Sequence, residues 1–515
     1  MTRTSTRSGD RHVARAKALN AVRAAAVSDF TSDAARTEAL AVLEATGDLR
    51  RLPPNWWIDF DQGVRSNSIW GTSAPARTNS SPDRILPEAW QWALAVCAAD
   101  GRRRESALLE NRLPLGHPAL LPLLVVRCSD WAEPVRLRAE SRLTSALPQV
   151  TAADLALACA VAWACEPRSR GLAAVRMVTD RLQEAGPAVW QQLFALPDHR
   201  TRRRALTEAL QRPALTAGEL VGLALADQDV TVARRAAEHV LVQSVPPVDA
   251  PLSAAAQVAV NALLAARIPH VRAAAVTVLR RGQRPDLAVP FLLDRSTLVR
   301  ETARWVLRSH GQEPSMHCRE LLARPGTRIG AGAVRGLAEC GDASDAPWLR
   351  AQLRNPWAKA RAAALHALTS LAPLTLEELL ALLEQDCSPA VGRAVTDALT
   401  PEAHRLPSAR LRQWLESAQH PELRRRAAVL LRAIDVWVRL ETDLRLIADP
   451  DPGLAHDAVV DLHNWISLPS PGHRLPSPEQ TAVIEALLLH AAAVLDARTL
   501  RQLRFRIPTP GPRSR

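Results

Sequence analysis

Apolar positions return along this chain at intervals close to 31 residues, with individual steps between 28 and 39. Each return is a nine-residue segment whose first and ninth positions are usually apolar, whose second is often Arg and whose fifth is nearly always Ala. Because positions one, five and nine share one side of a helix, each segment predicts an amphipathic helix, here called a core helix. The core segments begin at Val135, Arg170, Thr201, Val232, Val271, Val299, Ile329, Ala360, Val391, Leu423 and Leu454.

A fixed period of this length is typical of stacked helical hairpins, and it argues against a globule with one central core. A second apolar segment lies between successive core segments, as at 118–127, 215–225 and 374–383. The small residue at the fifth position lets a neighbouring helix approach closely. Each repeat is therefore predicted to be a helix, a turn and a core helix.

The predicted turns carry their own pattern. Five residues before the core segment stands Asp130, Asp227, Asp294, Asp386 or Asp449, with Asn355 in one further repeat. Three residues before it, Asp229, Ser296, Ser388 and Asp451 are suited to cap the helix N-terminus. A turn Asp followed by an Arg in the core segment predicts a ladder of hydrogen-bonded ion pairs between repeats.

The combination of turn Asp, following Val-Arg and later Ala and Leu resembles the HEAT-repeat family in its bacterial form, as in Asp294, Val299, Arg300, Ala303 and Leu307. The resemblance covers roughly residues 85 to 465. It implies an all-α, right-handed α-solenoid of about 11–12 helical hairpins, an armadillo-type fold, with the second helices lining a concave face. Arg170 and Thr201 depart from the pattern because they open their repeats without an apolar residue.

The sequence divides into five predicted segments: a basic, partly disordered tail at 1–29, cap helices and a Trp-containing loop at 30–84, the repeat solenoid at 85–466, a Pro-rich loop and capping helix at 467–497, and a basic tail at 498–515. Helices that start or cap the solenoid are predicted at 13–29 and at 34–45. The stretch 53–83 is predicted to be irregular. Its Trp56, Trp57 and Trp70 either cover the open end of the first repeats or bind a partner.

The formal charge of +12 suggests nucleic acid, but its location weakens that suggestion. Residues 1–29 carry a net +4 and residues 498–515 a net +6, which leaves +2 for everything between them. Three runs of consecutive Arg exceed what the predicted ladder uses. Since Arg binds carboxylates and phosphates alike, their members are candidate partner contacts: Arg102, Arg103, Arg104, Arg202, Arg203, Arg204, Arg425 and Arg426.

No sequence motif predicts catalysis or a cofactor. Phosphate-binding loops, dinucleotide fingerprints and nucleophile elbows are absent from the sequence. None of the fourteen His is followed by Glu, as a likeness to the HEAT-repeat di-iron hydroxylases would require. The seven Cys are scattered without a Cys-x-x-Cys pair, which fits free thiols in a reducing cytoplasm. No apolar run reaches membrane-spanning length.

We therefore expect a non-catalytic scaffold or adaptor that binds a protein partner on its concave surface, without a metal or a small-molecule cofactor. The alternative is a nucleic-acid-binding solenoid whose basic tails and Arg runs contact phosphates. An enzyme is the least supported of the three, since no set of residues meets a catalytic requirement.

Overall fold

The computed structural model describes residues 49–67, 88–109, 120–244, 250–324, 326–327, 329–468 and 475–507. Every regular element in these ranges is a helix. The N-terminal tail, the helices predicted at 13–29 and 34–45, and Trp70 lie outside the described residues, as do positions 508–515.

Backbone proximity divides the chain into two compact units. The first comprises Met1–Ser244 with Ser253–Ala274, and the second comprises Val245–Leu252 with Ala275–Arg515. In the first unit, short 3-10 segments lie at Leu49–Arg51 and Leu147–Gln149. Its helices are α1 Pro54–Asn67, α2 Glu88–Val96, α3 Gly101–Leu109, α4 Leu120–Arg127, α5 Glu133–Ala146, α6 Ala152–Cys165, α7 Leu172–Gln183, α8 Pro187–Ala195, α9 His199–Gln211, α10 Ala217–Ala226, α11 Val230–Ser244 and α12 Ala254–Leu264, with α13 Pro269–Arg281 divided between the two units.

The second unit is equally helical over its described residues. Short 3-10 segments lie at Val289–Leu293, Ala343–Asp345 and Thr400–Arg405. Its helices are α14 Pro285–Ala288, α15 Thr297–Ser309, α16 Pro314–Ala323, α17 Ala331–Ala338, α18 Ala346–Gln352, α19 Ala358–Leu371, α20 Leu376–Gln385, α21 Pro389–Leu399, α22 Ser408–Ser417, α23 Pro421–Ile434, α24 Val436–Leu446, α25 Pro452–Ser467, α26 Pro478–Ala491 and α27 Ala497–Arg506.

Each compact unit is built as two layers of stacked helices. In the first unit, α4, α6 and α8 contact one another in order, and the core helices α3, α5 and α7 do the same. In the second unit the core helices α17, α19, α21 and α23 form such a series. Consecutive helices of one repeat also pair, as α22 does with α23. The predicted all-α solenoid of helical hairpins is confirmed.

The repeat positions lie where the periodicity places them. Val299, Ala303 and Leu307 of α15 are fully buried, and their equivalents in the other core helices are buried almost without exception. Arg170, which departs from the apolar pattern at the first position, is exposed. Since a buried Ala sits in the middle of nearly every core helix, neighbouring helices can pack with little space between them.

One arginine in the core helix ties three pieces of chain together. Arg361 donates from Nη1 to the carbonyl oxygens of Asn355 and Pro356 at 2.9 and 3.3 Å, closing the turn of its own repeat. Its Nε and Nη2 donate to both carboxylate oxygens of Asp386 in the next repeat at 2.6 and 3.0 Å. Asp386 in turn accepts from the backbone N–H of Ser388 at 3.1 Å. The carboxylate thus joins two repeats and shapes a turn.

The same arrangement recurs and forms the predicted ladder. The Nε of Arg104 donates to Asp130, and that of Arg202 to Asp227, both at 3.0 Å. Arg424 donates from Nη2 to Asp449 at 2.6 Å. Arg104 and Arg202 also bond two carbonyls of their own turns. The ladder between repeats is confirmed, and Arg104 adds a rung before the first repeat recognised in the sequence.

The rung at Arg300 uses a different acceptor. The position 25 residues further on, which is Asp after Arg202, Arg361 and Arg424, is Pro325. The guanidinium of Arg300 is fully buried and pairs with Glu339, just beyond the end of α17. Glu339 also pairs with Arg304. These two guanidiniums oppose the effect of burial and hold the pKa of Glu339 below its usual value.

Two glycines let helix α17 pack closely against the preceding backbone. A Cβ at Gly336 would lie 2.2 Å from the carbonyl oxygen of Leu292, and one at Gly332 would lie 2.7 Å from that of Leu293. Both contacts are with backbone, which cannot move aside easily. The repeat that begins at Ile329 therefore departs from the pattern in three respects: the carboxylate that pairs with the preceding core-helix arginine, the length of its core helix and its packing.

Predicted N-caps are confirmed where they are Asp. Asp229 accepts from the backbone N–H of Thr231, and Asp451 from that of Gly453. Ser296 and Ser388 occupy the N-cap position but make no capping hydrogen bond through their side chains, so that part of the prediction is wrong. In both cases the preceding turn Asp accepts from the backbone N–H of the Ser.

Two segments differ from their predicted conformation. The supposed irregular stretch 53–83 contains α1, in which Trp56, Trp57, Phe60 and Val64 bury one helical face. The supposed tail beyond residue 497 contains α27, whose Leu503 is fully buried. In each case a few apolar residues at helical spacing outweigh polar or basic neighbours.

Asp130 is the most heavily bonded carboxylate of the ladder. Its side chain is fully buried and accepts from Arg104, from Arg127 at 2.7 Å and from Arg65 at 3.1 Å. Arg65 and Arg127 also pair with Asp61. Burial is the main cause of the raised pKa of Asp61. Because Arg104 and Arg127 are fully buried as well, removing Asp130 leaves buried cations without their shared partner.

Replacing Asp130 with Ala is expected to lower the free energy of unfolding of the first compact unit by about 3–5 kcal/mol. The measurement is urea unfolding followed by circular dichroism. Glu238→Ala is the matched control, because it removes the half-exposed partner of Arg234 in the same unit; it is expected to cost less than about 1 kcal/mol. Equal losses for the two variants would contradict this role for Asp130.

A second buried carboxylate lies in the second unit. Burial raises the pKa of Asp443 to about 8, with its hydrogen bond to Asp461 acting in the same direction and Arg432 opposing. Arg432 donates from Nε to Asp443 at 2.6 Å, and Arg439 donates from Nε to Asp461 at 2.6 Å. Asp443 is therefore protonated at neutral pH.

The proton on Asp443 predicts a pH dependence of stability. Between about pH 4 and pH 8 the folded chain holds a proton on Asp443 that the unfolded chain has released, so stability falls as pH rises through this window. In Asp443→Asn the fall should be shallower, because the amide carries no titrating proton. Urea unfolding midpoints at several pH values test this, and parallel curves for the two proteins would contradict it.

Candidate protein-binding surface

The third member of the first Arg run and the first member of the second belong to the ladder. Arg104 is fully buried against Asp130, and Arg202 is mostly buried against Asp227. The third run begins with Arg424, which pairs with Asp449. The prediction that Arg104 and Arg202 contact a partner does not fit these positions, because their guanidiniums are occupied within the fold.

The next member of the second and third runs forms a parallel, outer set of pairs. Arg203 donates to Asp229 at 3.0 and 2.9 Å, and Arg425 donates to Asp451 at 3.3 Å. The hydrogen bond from Arg203 is the main cause of the lowered pKa of Asp229. Both arginines are about half exposed. The signal in the sequence is the Asp-x-Asp turn, which offers one carboxylate to each of two successive arginines.

The remaining run members are of two kinds. Arg204 pairs with Glu208 at 2.9 Å, and Arg426 with Glu422 at 2.7 Å, each across one turn of its own helix. Arg102 and Arg103 are exposed at the start of α3, and neither side chain has a partner among the described residues. Of the eight predicted Arg contacts, only these two are cations without a described partner.

Trp56 and Trp57 are buried and do not form a binding surface. Their ring centroids lie 5.0 Å apart in an edge-to-face arrangement, and Trp56 stacks on Phe60 at 5.4 Å. Helix α1 lies against α4 and α6. Of the two interpretations of the Trp-rich stretch, these two rings fit the one in which they cover the first repeats. The prediction that they anchor a partner is corrected by their burial.

The side of the core helices that faces away from the core is called the outward row and is defined as the third and seventh positions of the core segments. Its members alternate with the buried positions along each core helix. The exposed ones are Leu137, Ser141, Leu172, Arg176, Arg203, Arg234 and Glu238 in the first unit, and Thr277, Glu301, Trp305, Arg335, His366, Arg393, Asp397, Arg425, Val429, His456 and Val460 in the second.

Large apolar side chains occur in the outward row of both units. Leu137 and Leu172 hold the same position in the contacting helices α5 and α7, and each is more than half exposed. Trp305 of α15 is 48% exposed, and the guanidinium of Arg280 lies 5.5 Å from its ring centroid. Sequence analysis missed these residues, although the third and seventh positions are identifiable from the repeat alone.

The described residues offer no metal site and one notable cleft. No three His, Cys, Asp or Glu side chains in the described ranges are placed to hold a metal ion. A cleft of about 820 Å³ lies at the carboxyl ends of α22, α24 and α26. Glu416, Asp449, Arg424 and Arg445 all line it. Since both signs of charge are present, the cleft favours no single class of ligand.

No family model and no curated protein matches this chain. Similar solved structures are those of the karyopherin Kap121p. A Kap121p mutant is 12% identical with a TM-score of 0.23, covering 96% of this chain and 55% of that one. Kap121p bound to Nup53p is 12% identical with a TM-score of 0.20, covering 95% and 55%. The chain spans about half the length of these proteins. By its own helix contacts it is an α-solenoid, and no described helix is long and apolar enough to cross a membrane.

Proposed function

We propose that this chain is a non-catalytic scaffold that binds a protein partner along the outward row. The observation that carries the proposal is the exposed Trp305 with Arg280 over its ring. Trp and Arg are the residues that most often dominate the energy of protein interfaces. The two exposed leucines in the first unit, Leu137 and Leu172, add apolar surface of the kind that marks a contact site.

The charges of the outward row also favour a protein over a nucleic acid. Glu238, Glu301 and Asp397 share the row with Arg176, Arg335 and Arg393. A surface that follows a phosphate backbone concentrates one sign of charge. Mixed charges around apolar anchors instead suit another protein surface, where they set orientation and exclude wrong partners.

A solenoid supports this kind of binding because its surface is formed before the partner arrives. The backbone under the outward row is fixed by buried Ala and Leu positions and by the Arg–Asp ladder. Little backbone ordering is then lost on binding, so modest contacts spread over several repeats add up to useful affinity.

Trp305→Ala is expected to weaken capture of the partner from a source-cell lysate at least tenfold, because a central Trp contributes on the order of 2 kcal/mol or more. The measurement is quantitative mass spectrometry of proteins retained by the full-length chain after nuclease treatment. Trp357→Ala is the matched control, since Trp357 is similarly exposed but lies at a turn outside the outward row. Undiminished capture by Trp305→Ala, or equal loss in both variants, would contradict the proposal.

A second candidate function rests on α27. Arg498, Arg501 and Arg504 are exposed on this helix, and Phe505 is 92% exposed. The acid nearest in sequence, Asp496, caps the helix by accepting from the backbone N–H groups of residues 498 and 499. A basic face with a protruding aromatic ring suits single-stranded nucleic acid, through phosphate contacts and base stacking.

Replacing Arg498, Arg501 and Arg504 together with Gln should reduce the salt dependence of binding to a labelled single-stranded oligonucleotide. Each lost phosphate contact lowers the slope of log affinity against log salt by about 0.7, so a loss of about two units is expected. The measurement is fluorescence anisotropy at several salt concentrations. Arg176→Gln, Arg335→Gln and Arg393→Gln, combined, make the same charge change elsewhere; an equal effect there, or no binding by the unaltered chain, would exclude α27 as the site.

A further inference from the structure

A basic patch surrounds Trp305 in the second compact unit. The guanidinium of Arg280, at the end of α13, lies 5.5 Å from the centroid of the Trp305 ring. Arg308 follows Trp305 by three residues, so both lie on the same side of α15. Arg335 holds on α17 the seventh position that Trp305 holds on α15. These four residues are here called the Arg–Trp patch.

Helices α15 and α17 are adjacent, which brings the members of the patch onto one surface. Arg300 of α15 donates from Nε to Glu339, just beyond the end of α17, at 2.9 Å. Arg304 of α15 pairs with the same carboxylate. Both helices also contact the segment Val289–Leu293. Since equivalent positions of adjacent repeats face the same way, Trp305 and Arg335 belong to one face of the stack.

The three guanidiniums of the patch have no carboxylate partner among the described residues. Arg308 and Arg335 are exposed, and Arg280 is half-buried. The carboxylate that lies one turn after Arg335 is that of Glu339, which already serves the two mostly buried arginines of the irregular rung. Because one carboxylate here serves two inner cations, none is left for the exposed ones. The patch therefore carries positive charge that the fold does not neutralise.

Two features favour the carboxylates of a protein over the phosphates of a nucleic acid as the partner of this charge. Glu301 is exposed one turn before Trp305 on the same side of α15, where it repels a continuous phosphate backbone. Arg280 lies over the Trp305 ring and restricts the stacking of a base on it. An acidic polypeptide can place separate carboxylates at the arginines and leave Glu301 uncontacted.

We propose that the Arg–Trp patch binds an acidic segment of the protein partner. The inference rests on the proposed scaffold function and names the chemistry of the segment that the scaffold binds. Carboxylates of the segment accept charge-assisted hydrogen bonds from Arg308 and Arg335. An apolar side chain of the segment packs against the exposed part of Trp305. The ring supplies the larger part of the affinity, and the arginines select an acidic sequence.

The test measures binding of a fluorescein-labelled peptide, made of glutamates with a leucine at every fourth position, to the full-length chain by fluorescence anisotropy at low salt. Replacing Arg308 and Arg335 together with Gln should weaken binding about tenfold, because exposed ion pairs are least screened under these conditions. Trp305→Ala should weaken it at least about tenfold. A peptide with glutamine in place of glutamate should bind the unaltered chain at least about tenfold more weakly than the acidic peptide.

Arg176→Gln combined with Arg393→Gln is the matched control. Both residues are exposed in the outward row without a carboxylate partner among the described residues, so the same charge is removed away from the patch. Peptide affinity should then change by less than about twofold. Equal weakening in the two double variants, no weakening in either, or no binding of the peptide by the unaltered chain would overturn the proposal. Tighter binding of labelled oligothymidine that is lost with Arg308 and Arg335 would overturn it as well, because phosphates would then be the ligand.

Capture from the lysate by the same variants separates this inference from the scaffold function. If Trp305→Ala reduces capture but the Arg308 and Arg335 double variant does not, the scaffold function stands and the acidic partner is excluded. If Trp305→Ala leaves capture undiminished while the acidic peptide still requires both arginines, the scaffold function is contradicted and the patch stands as a site for acidic peptides. Circular dichroism of each variant separates loss of binding from loss of folding.

Discussion

The stack depends on one bond pattern, in which a core-helix arginine bridges its own turn and the turn Asp of the next repeat. Arg361 shows the arrangement in full, with two carbonyls on one side and both oxygens of Asp386 on the other. Each carboxylate is also fixed by a backbone N–H two residues on. A displaced turn would therefore leave a poorly solvated guanidinium without a partner, which is costly. This penalty, added to apolar burial, sets the register between adjacent repeats.

The irregular rung shows what happens when the turn Asp is missing. Arg300 cannot remain buried alone, and Glu339 supplies the carboxylate from the other end of the repeat. That acceptor is reached because α17 is short and because Gly332 and Gly336 let it approach the preceding backbone closely.

The repeat period and its buried positions could be predicted because the same residue types recur at the same positions from repeat to repeat. The fifth-position Ala, the turn Asp and the Arg that follows recur because the repeats pack against one another in the same way. Features that occur once were missed. Helix α1 was hidden among polar residues, and Arg104 belongs to a repeat with Arg103 where an apolar residue is expected. The predicted serine caps are absent where the turn Asp already accepts a hydrogen bond from the backbone N–H of the serine. To predict the outer pairs of Arg203 and Arg425, one has to recognise that an Asp-x-Asp turn offers one carboxylate to each of two successive arginines.

The difference between positions that recur and positions that vary also bears on where the proposed binding surface lies. Ladder and core positions are constrained by neighbouring repeats, so they have little freedom to encode a particular partner. Most third and seventh positions are exposed, and there the residues range from Leu172 through Arg234 to Trp305. The +12 charge follows the same logic: within the body most arginines are bonded to carboxylates or carbonyls, and the excess falls at the ends. The proposed recognition therefore falls on the outward row and on the exposed side chains of α27.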